Sequence, residues 1–119
     1  MTRAKILEGQ HLKTGDQEPD LLVQLIKDNR TPKDLSSVSS IEVHIKEANS
    51  QDVLVDDDMT GNVSIDAATD GKVSYAWQTA DTETASTLVG EFVVIDSNSE
   101  QATYPNDGTF KVYIEEGIQ

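Results

Sequence analysis

The stretch "GKVSYAWQTADTETASTLVGEF", Gly71 to Phe92, indicates the fold class of this chain. It opens with a strand-like run that places Val73, Tyr75 and Trp77 on one side. A block rich in Thr, Asp and Ala follows, and there we predict a single helical turn over residues 79–85. A second apolar run begins after it. The stretch therefore predicts two strands joined by a turn between two sheets, with its tryptophan in the core.

Alternation with period two recurs along the rest of the chain, and helical periodicity is almost absent. The clearest case is "SIEVHIKEA", in which Ile41, Val43 and Ile45 alternate with charged or polar residues. The run "LVGEFVVID" is apolar on both faces, which indicates a central strand. The same pattern predicts further inward-facing positions, namely Leu21, Val23, Leu25, Val53, Val55, Val63, Ile65, Phe110, Val112 and Ile114.

Turn chemistry separates these runs, in segments rich in Gly, Pro, Asn, Asp and Ser. They are residues 27–34, 56–62, 66–72, 96–101 and 105–108. About seven to eight short strands with frequent turns predict an all-β, Greek-key β-sandwich. We place this single domain at residues 19–119. Residues 1–18 are predicted to form a partly extended N-terminal arm, which Ile6 and Leu7 would anchor on a neighbouring molecule.

Composition excludes several classes of function. The chain has 119 residues, enough for one ordinary domain, and 22 acidic against 9 basic side chains give a net charge of −13. Such a surface repels nucleic acids and anionic membranes, so neither is an expected partner. The chain contains no cysteine, which excludes disulfides and thiolate chemistry. Its start, "MTRAKILEGQHLK", lacks the apolar core of a signal peptide, and no membrane-spanning run is present, so a soluble, unexported protein is expected.

The acidic side chains are scattered along the chain, and two interpretations of them stay open. An acidic coat is typical of proteins adapted to molar salt, in which dissolved ions screen the self-repulsion. The alternative is an ordinary soluble acidic protein.

No catalytic, cofactor-binding or metal-binding residue is predicted. His44 lies on the polar face of a strand and His11 in the polar N-terminal segment, and neither has a recognisable partner in the sequence. Residues 56–58 are three consecutive aspartates without the spacing of a calcium-binding loop, so they are interpreted as a solvated acidic loop. Tyr75 and Trp77 could serve as a sugar-stacking platform only if exposed, and their alternation places them inward.

A resemblance to a known family covers residues 12–115. The chain resembles the N-terminal domain family of phage baseplate upper proteins, in motifs that fall on Tyr75 to Trp77, Asp81 to Thr84, Glu91 to Phe92 and Tyr104 to Gly108. The segment "KTGDQEPDLLVQLIKDNRTPKDLSSVSSIEVHIKE" is similar to the lead-in of that family. The resemblance implies an immunoglobulin-like sandwich that assembles virion parts without catalysis, and it transfers no binding residue.

The chain departs from that family at the corner between the sheets. Members often have Gly-Thr-Tyr where this chain has Ser86, Thr87 and Leu88, and a leucine cannot make the hydrogen bond of a tyrosine corner. We therefore expect hydroxyls of the turn at residues 79–84 to hold the corner instead.

The resulting expectation is a non-enzymatic virion structural protein of a tailed virus, and the acidic coat points to a haloarchaeal one. It would be an assembly or adaptor module on the tail, the baseplate or the capsid surface, where it would serve as a decoration or turret subunit. Its partners would be other virion proteins and copies of itself, as a homo-oligomer or ring, and it would be made in the host cytoplasm. The alternative is a glycan- or host-surface-binding sandwich, and an enzyme is the least favoured hypothesis.

Overall fold

The computed structural model describes residues 1–118, which form ten strands and two short 3₁₀ turns. Neither turn is long or apolar enough to cross a membrane. The turns lie at Ala68–Asp70 and Thr79–Thr82. The strands are β1 (Arg3–Glu8), β2 (His11–Lys13), β3 (Leu21–Ile26), β4 (Val38–Glu47), β5 (Val53–Asp58), β6 (Val63–Ala67), β7 (Lys72–Tyr75), β8 (Ser86–Asp96), β9 (Gln101–Tyr104) and β10 (Phe110–Glu115).

The strands form two facing sheets. One has four strands in the order β1-β3-β7-β6, and the other has six, in the order β2-β10-β8-β4-β5, with β9 pairing with β8. All pairs are antiparallel except β2 with β10, which is parallel. The first order corresponds to the A, B, E and D strands of an immunoglobulin domain, and the second contains its G, F and C strands. The predicted all-β, immunoglobulin-like sandwich is confirmed.

The core lies between the sheets and follows the period-two pattern. The inward residues of β3 and β4 are fully or almost fully buried, at 0–1% exposure. Val53 was predicted to face inward with Val55, and this prediction is wrong: Val53 is 60% exposed, whereas Val55 is 4% exposed. The cause is a bulge at Leu54, since Ile45 pairs with Val55 but Lys46 pairs with Val53. The extra residue turns the side chain of Val53, at the start of β5, to the outer face of the sheet.

Residues 1–18 contribute to both sheets, so they are not an arm that reaches across a neighbour. β1 pairs with β3 in the four-stranded sheet, and β2 pairs with β10 in the other. Between them, Gly9 has a φ of +82°, and a Cβ there would lie 2.5 Å from the carbonyl oxygen of Asp20. This conformation and close approach favour glycine at the point where the chain changes sheets. Ile6 packs against the core, and Leu7 stays 37% exposed at a bulge.

Candidate interaction surface

The aromatic residues of the opening stretch lie in the core beside the corner between the sheets. Tyr75 and Trp77 are each 2% exposed, and their rings meet edge to face with centroids 5.3 Å apart. The Tyr75 hydroxyl donates to Oδ2 of Asp81 at 2.5 Å, and the backbone N–H of Gln78 donates to the same oxygen at 2.8 Å. Burial raises the pKa of Tyr75, and the hydrogen bond to the Asp81 carboxylate raises it further. This carboxylate therefore fixes the corner from inside.

A hydroxyl of the turn also holds the corner, as the sequence led us to expect. Thr82, which is fully buried, donates from its Oγ1 to the carbonyl oxygen of Asp16 at 2.9 Å. The N–H of Gly15 donates to the carbonyl of Thr82, also at 2.9 Å. Leu88 is fully buried in the core. The predicted helical turn at residues 79–85 is a 3₁₀ turn over Thr79–Thr82, tied to the segment that follows β2.

The predicted burial of the aromatic pair removes Tyr75 and Trp77 from the surface available to a ligand. The indole Nε1 of Trp77 is buried without a hydrogen-bond partner among residues 1–118. An exposed aromatic contact does exist on the outer face of the six-stranded sheet, where His11 stacks on Tyr113 with ring centroids 5.2 Å apart. His11 is thus a surface side chain next to a half-exposed tyrosine. The residues adjacent to His11 in the sequence do not indicate this contact.

His44 has partners that sequence analysis missed. Its Nε2 lies 3.3 Å from a Glu42 carboxylate oxygen and 3.4 Å from one of Asp56, and its Nδ1 lies 3.6 Å from one of Glu91. Asp56 and Glu91 come from the neighbouring strands β5 and β8, and only the sheet register brings them to His44. The carboxylates surround the ring from two sides, and the described part of the chain contains no group of three His, Cys, Asp or Glu arranged to hold a metal.

The three aspartates at residues 56–58 end β5 rather than forming a loop, which corrects the interpretation from sequence. Asp57 accepts hydrogen bonds from the backbone and side-chain nitrogens of Asn62 at 3.2 and 2.9 Å. Asp58 accepts from the backbone N–H of Thr60 and from its hydroxyl, and these two bonds lower the pKa of Asp58. Two of the carboxylates therefore build the turn between β5 and β6, while Asp56 is 76% exposed.

The surface has several depressions, and two of them differ clearly in the chemistry of their lining. A shallow one of about 130 Å³ lies on the six-stranded sheet, and its lining includes Val53, Val89 and Lys46. A larger groove of about 590 Å³ lies on the four-stranded sheet, where Glu8, Glu18, Asp20 and Asp66 line it. The first offers mostly apolar surface and the second offers carboxylates. The lining of the first also includes His44 and Glu91, and that of the second includes Ser74, whose hydroxyl donates to Asp66 at 2.7 Å.

The free edges of the sheets are the remaining candidate surface. β5 pairs only with β4, and β1 pairs only with β3, so each leaves one side of its backbone without a partner strand among the described residues. The β5 edge exposes Val53 at 60% and Leu54 at 38%. An unpaired edge with exposed apolar side chains is a surface to which another protein strand can bind. Sequence analysis predicted β5 but not that it lies at an edge.

No protein-family profile matches the chain, and no curated protein sequence matches it. A solved structure of murine CRIg is similar to it, with 13% sequence identity over 98% of each chain and a TM-score of 0.45. This is a likeness of fold at low identity, and it gives no information about what the chain binds.

Proposed function

We propose that this protein is a non-enzymatic structural module of a tailed virus, an assembly or adaptor unit on the tail, the baseplate or the capsid surface. Its partners are other virion proteins and further copies of itself. Its work is to present rigid edges and sheet faces to those partners, and it carries out no reaction.

The observation that carries this proposal is the β5 edge. Val53 and Leu54 are exposed apolar residues on a strand with one free side, and Val53 also lines the shallow apolar depression of the same sheet. Isolated domains usually protect such edges, because an unpaired strand accepts a partner. A contact surface for another protein explains why this edge keeps its valine and leucine in solvent.

The location in a tailed virus is supported by the resemblance to the baseplate family. The residues that carry the resemblance have folding roles here, as expected for a domain whose shared positions maintain a scaffold. Trp77, Phe92 and Tyr104 are at most 3% exposed. Gly108 has a φ of +77° in the turn that leads into the last strand, a conformation that favours glycine.

The alternative is a glycan- or host-surface-binding module. Tyr75 and Trp77 are buried, so these two rings are not available to stack on a sugar. A glycan site would have to use the half-exposed Tyr113 with His11, which form a much smaller aromatic surface. Protein assembly is therefore the function that the exposed surface supports better.

Quantitative mass spectrometry of purified virus particles tests the proposal, by counting copies of this protein relative to the major capsid protein. We expect the protein in the particles. A ratio near that of the capsid protein would make it a head decoration or turret subunit, and a much smaller ratio would make it a tail or baseplate part. Its absence from particles that are otherwise complete would overturn the proposal.

A further inference from the structure

His44 lies on the outer face of the six-stranded sheet, and a carboxylate from each of three strands faces its ring. Asp56 of β5 is directly opposite it on one side, and Glu91 of β8 is directly opposite it on the other. Glu42 lies two residues before it on the same face of β4. The Nε2 atom is 3.3 Å from Glu42 and 3.4 Å from Asp56, and the Nδ1 atom is 3.6 Å from Glu91. Carboxylate oxygens therefore face both nitrogens of the ring.

Two further charged residues share this face of the sheet. Asp58 is opposite Glu42 in the pairing of β5 with β4, so it adds to the negative charge around the ring. Lys46 lies two residues after His44, and its Nζ donates to the carbonyl oxygen of Ser50 at 3.0 Å. Within residues 1–118 this lysine makes no salt bridge. The permanent cation beside the ring is thus directed to a backbone carbonyl and away from the carboxylates.

A neutral imidazole cannot satisfy this arrangement. It carries one N–H, so one of its two nitrogens turns a lone pair towards a carboxylate oxygen. The imidazolium carries an N–H on both nitrogens as well as a positive charge, so it attracts the carboxylates on both sides. The side chains of His44, Glu42 and Glu91 are only 33–39% exposed, so water screens these contacts less than it would at an open surface.

A proton on His44 has a structural consequence because β5 is an edge strand. Among the described residues β5 pairs with β4 alone, and the bulge at Leu54 interrupts that pairing. Protonated His44 attracts Asp56 on β5 and Glu91 on β8 at the same time, so it connects the edge strand to the centre of the sheet. Neutral His44 leaves these carboxylates side by side without a cation between them.

We propose that His44 forms a pH-sensitive link, with Asp56 and Glu91, that holds β5 to the sheet when the imidazole is protonated and is lost when the imidazole is neutral. The folded chain gathers carboxylates around the ring and the unfolded chain does not, so the stabilisation belongs to the protonated form. Histidine changes charge near pH 6.5, so the link is present in mildly acidic solution and is lost as the pH rises through neutrality.

This inference goes beyond the proposed function and does not depend on it, because it concerns contacts within one chain. Loosening of β5 exposes backbone groups of β4 that β5 otherwise covers. The edge that the six-stranded sheet offers to a partner strand therefore changes with pH.

Hydrogen exchange at single amides tests the link. The N–H of Ala48 donates to the carbonyl of Thr87 at 2.9 Å, which directs the backbone groups of the even-numbered residues of β4 towards β8. The odd-numbered residues of β4 then bond to Val55 and Asp57 of β5, whose amides report how firmly β5 is attached. The amide of Leu25 is hydrogen-bonded in the other sheet, and its exchange reports opening of the whole sandwich.

The comparison is between wild type and His44→Gln, which keeps an N–H donor but cannot become charged. Protection factors are measured in about 0.1 M NaCl at about pH 5.5 and about pH 7.5, each corrected for the intrinsic exchange rate. We expect the protection of Val55 and Asp57 to fall at least about threefold more in wild type than in His44→Gln as the pH rises, the size expected for a partly exposed ion pair. Leu25 should show no such difference.

The other histidine is the matched control for titration in general. His11 stacks on Tyr113 at the opposite edge of the same sheet, and His11→Gln should keep the wild-type response to pH. Loss of the response in His11→Gln as well would contradict the assignment to His44.

A second pair of variants tests the carboxylates with His44 intact. Asp56→Asn with Glu91→Gln removes the partners on the neighbouring strands and should abolish the response. Glu100→Gln with Asp107→Asn makes the same change in charge at two exposed positions away from the ring and should keep the response.

The proposal is overturned if wild type and His44→Gln respond to pH alike at Val55 and Asp57, or if the variant without Asp56 and Glu91 keeps the full response. An equal difference at Leu25 would also overturn it, because His44 would then act on the whole fold and not on the attachment of β5.

Discussion

At the corner between the two sheets, the Tyr75 hydroxyl donates a hydrogen bond to the carboxylate of Asp81. Asp81 is itself buried, at 8% exposure. A buried carboxylate requires donors, since leaving one unsatisfied costs more free energy than the bond itself contributes. Asp81 has two of them on one oxygen, from Tyr75 and from the N–H of Gln78. The corner therefore depends on a hydrogen bond that the family resemblance placed at a different residue.

Removal of the Tyr75 hydroxyl is expected to destabilise the fold. We expect Tyr75→Phe to lower the free energy of unfolding by about 1.5–3 kcal/mol, the range for hydrogen bonds to charged groups. Urea denaturation measures the change. The half-exposed Tyr113 is the matched control, because Tyr113→Phe removes the same atom at the surface and should change stability by less than about 0.5 kcal/mol. Equal effects of the two substitutions would refute this role of Tyr75.

The same residue predicts a loss of stability at alkaline pH. The folded state holds the pKa of Tyr75 above its ordinary value through burial and through Asp81, whereas the unfolded chain ionises near pH 10. Above about pH 10 the unfolded state therefore binds fewer protons than the folded state, and stability falls with pH. Below that pH the contribution is fully present. Burial likewise raises the pKa of Tyr104, which adds to the loss.

We expect the wild type to lose about 1.4 kcal/mol per pH unit more than Tyr75→Phe does above about pH 10, the slope for one proton. Urea denaturation at a series of alkaline pH values measures the difference. The same comparison of wild type with Tyr104→Phe measures the contribution of the other tyrosine whose pKa is raised. Parallel curves for wild type and Tyr75→Phe would contradict the prediction.

At the scale of single residues, the sequence predicts burial better than it predicts partners. Trp77 was placed in the core because it alternates with small residues, and alternation is a local property. The carboxylates around His44 come from three strands, so their meeting depends on register, which the sequence does not display.

Among the elements, β1 is the strand whose role differs most from expectation. It carries only two side chains, Ala4 and Ile6, that pack against the core, and its bulge turns Leu7 outward. Because β1 has so few inward-facing apolar residues, its sequence resembles that of a detached arm. Hydrogen bonding to β3 and the crossing at Gly9 make it a strand of the sandwich instead.

Two substitutions in β1 test its attachment. We expect Ile6→Ala to lower the free energy of unfolding by about 1–2 kcal/mol, below the 2–5 kcal/mol of a fully buried site because Ile6 is half-buried. Leu7→Ala removes a similar volume at an exposed position and should cost less than about 0.5 kcal/mol. Thermal or urea denaturation compares them. If Ile6→Ala were as mild as Leu7→Ala, β1 would not be packed on the core in solution.

The elements that sequence reasoning found are those with two or three inward apolar residues in alternation, such as β3, β4 and β10. It missed β1, β2 and β9, so the predicted seven or eight strands became ten. β2 and β9 have only three and four residues, too few to show a period. They are strands because longer neighbours, β10 and β8, offer backbone groups to pair with.

For the whole molecule, the net charge of −13 is the property that governs its response to solvent. Within residues 1–118, salt bridges to a lysine or to the N-terminus involve only Asp28, Asp96 and Glu115, and the chain has 22 acidic side chains against 9 lysines and arginines. Compaction brings these like charges together, so the folded state carries a repulsion that dissolved salt screens. An acidic coat of this kind fits adaptation to high salt, and that interpretation stays a prediction.

We expect the free energy of unfolding to rise by at least about 1 kcal/mol between about 0.05 M and about 1 M NaCl. The reason is that the Debye length falls to about 3 Å at 1 M, so the repulsion between surface carboxylates is almost fully screened there. Urea, which is uncharged, is the suitable denaturant. The variant Asp56→Lys with Asp58→Lys raises the net charge by four, from −13 to −9, and should respond less. A flat dependence for the wild type would exclude the halophilic interpretation.

The most direct test of the central claim, that this sandwich is an assembly module of a virus particle, is zero-length carbodiimide cross-linking of purified particles followed by mass spectrometry. Particles assembled from mixed light and heavy isotopes identify cross-links between copies, and the ion pair of Lys13 with Glu115, 3.1 Å apart within one chain, serves as the internal positive control. The account predicts cross-links that join this protein to other virion proteins or, in mixed-isotope peptides, to further copies of itself. Particles without this protein, or particles that give the Lys13–Glu115 product but no cross-link from this protein to another chain, would contradict it.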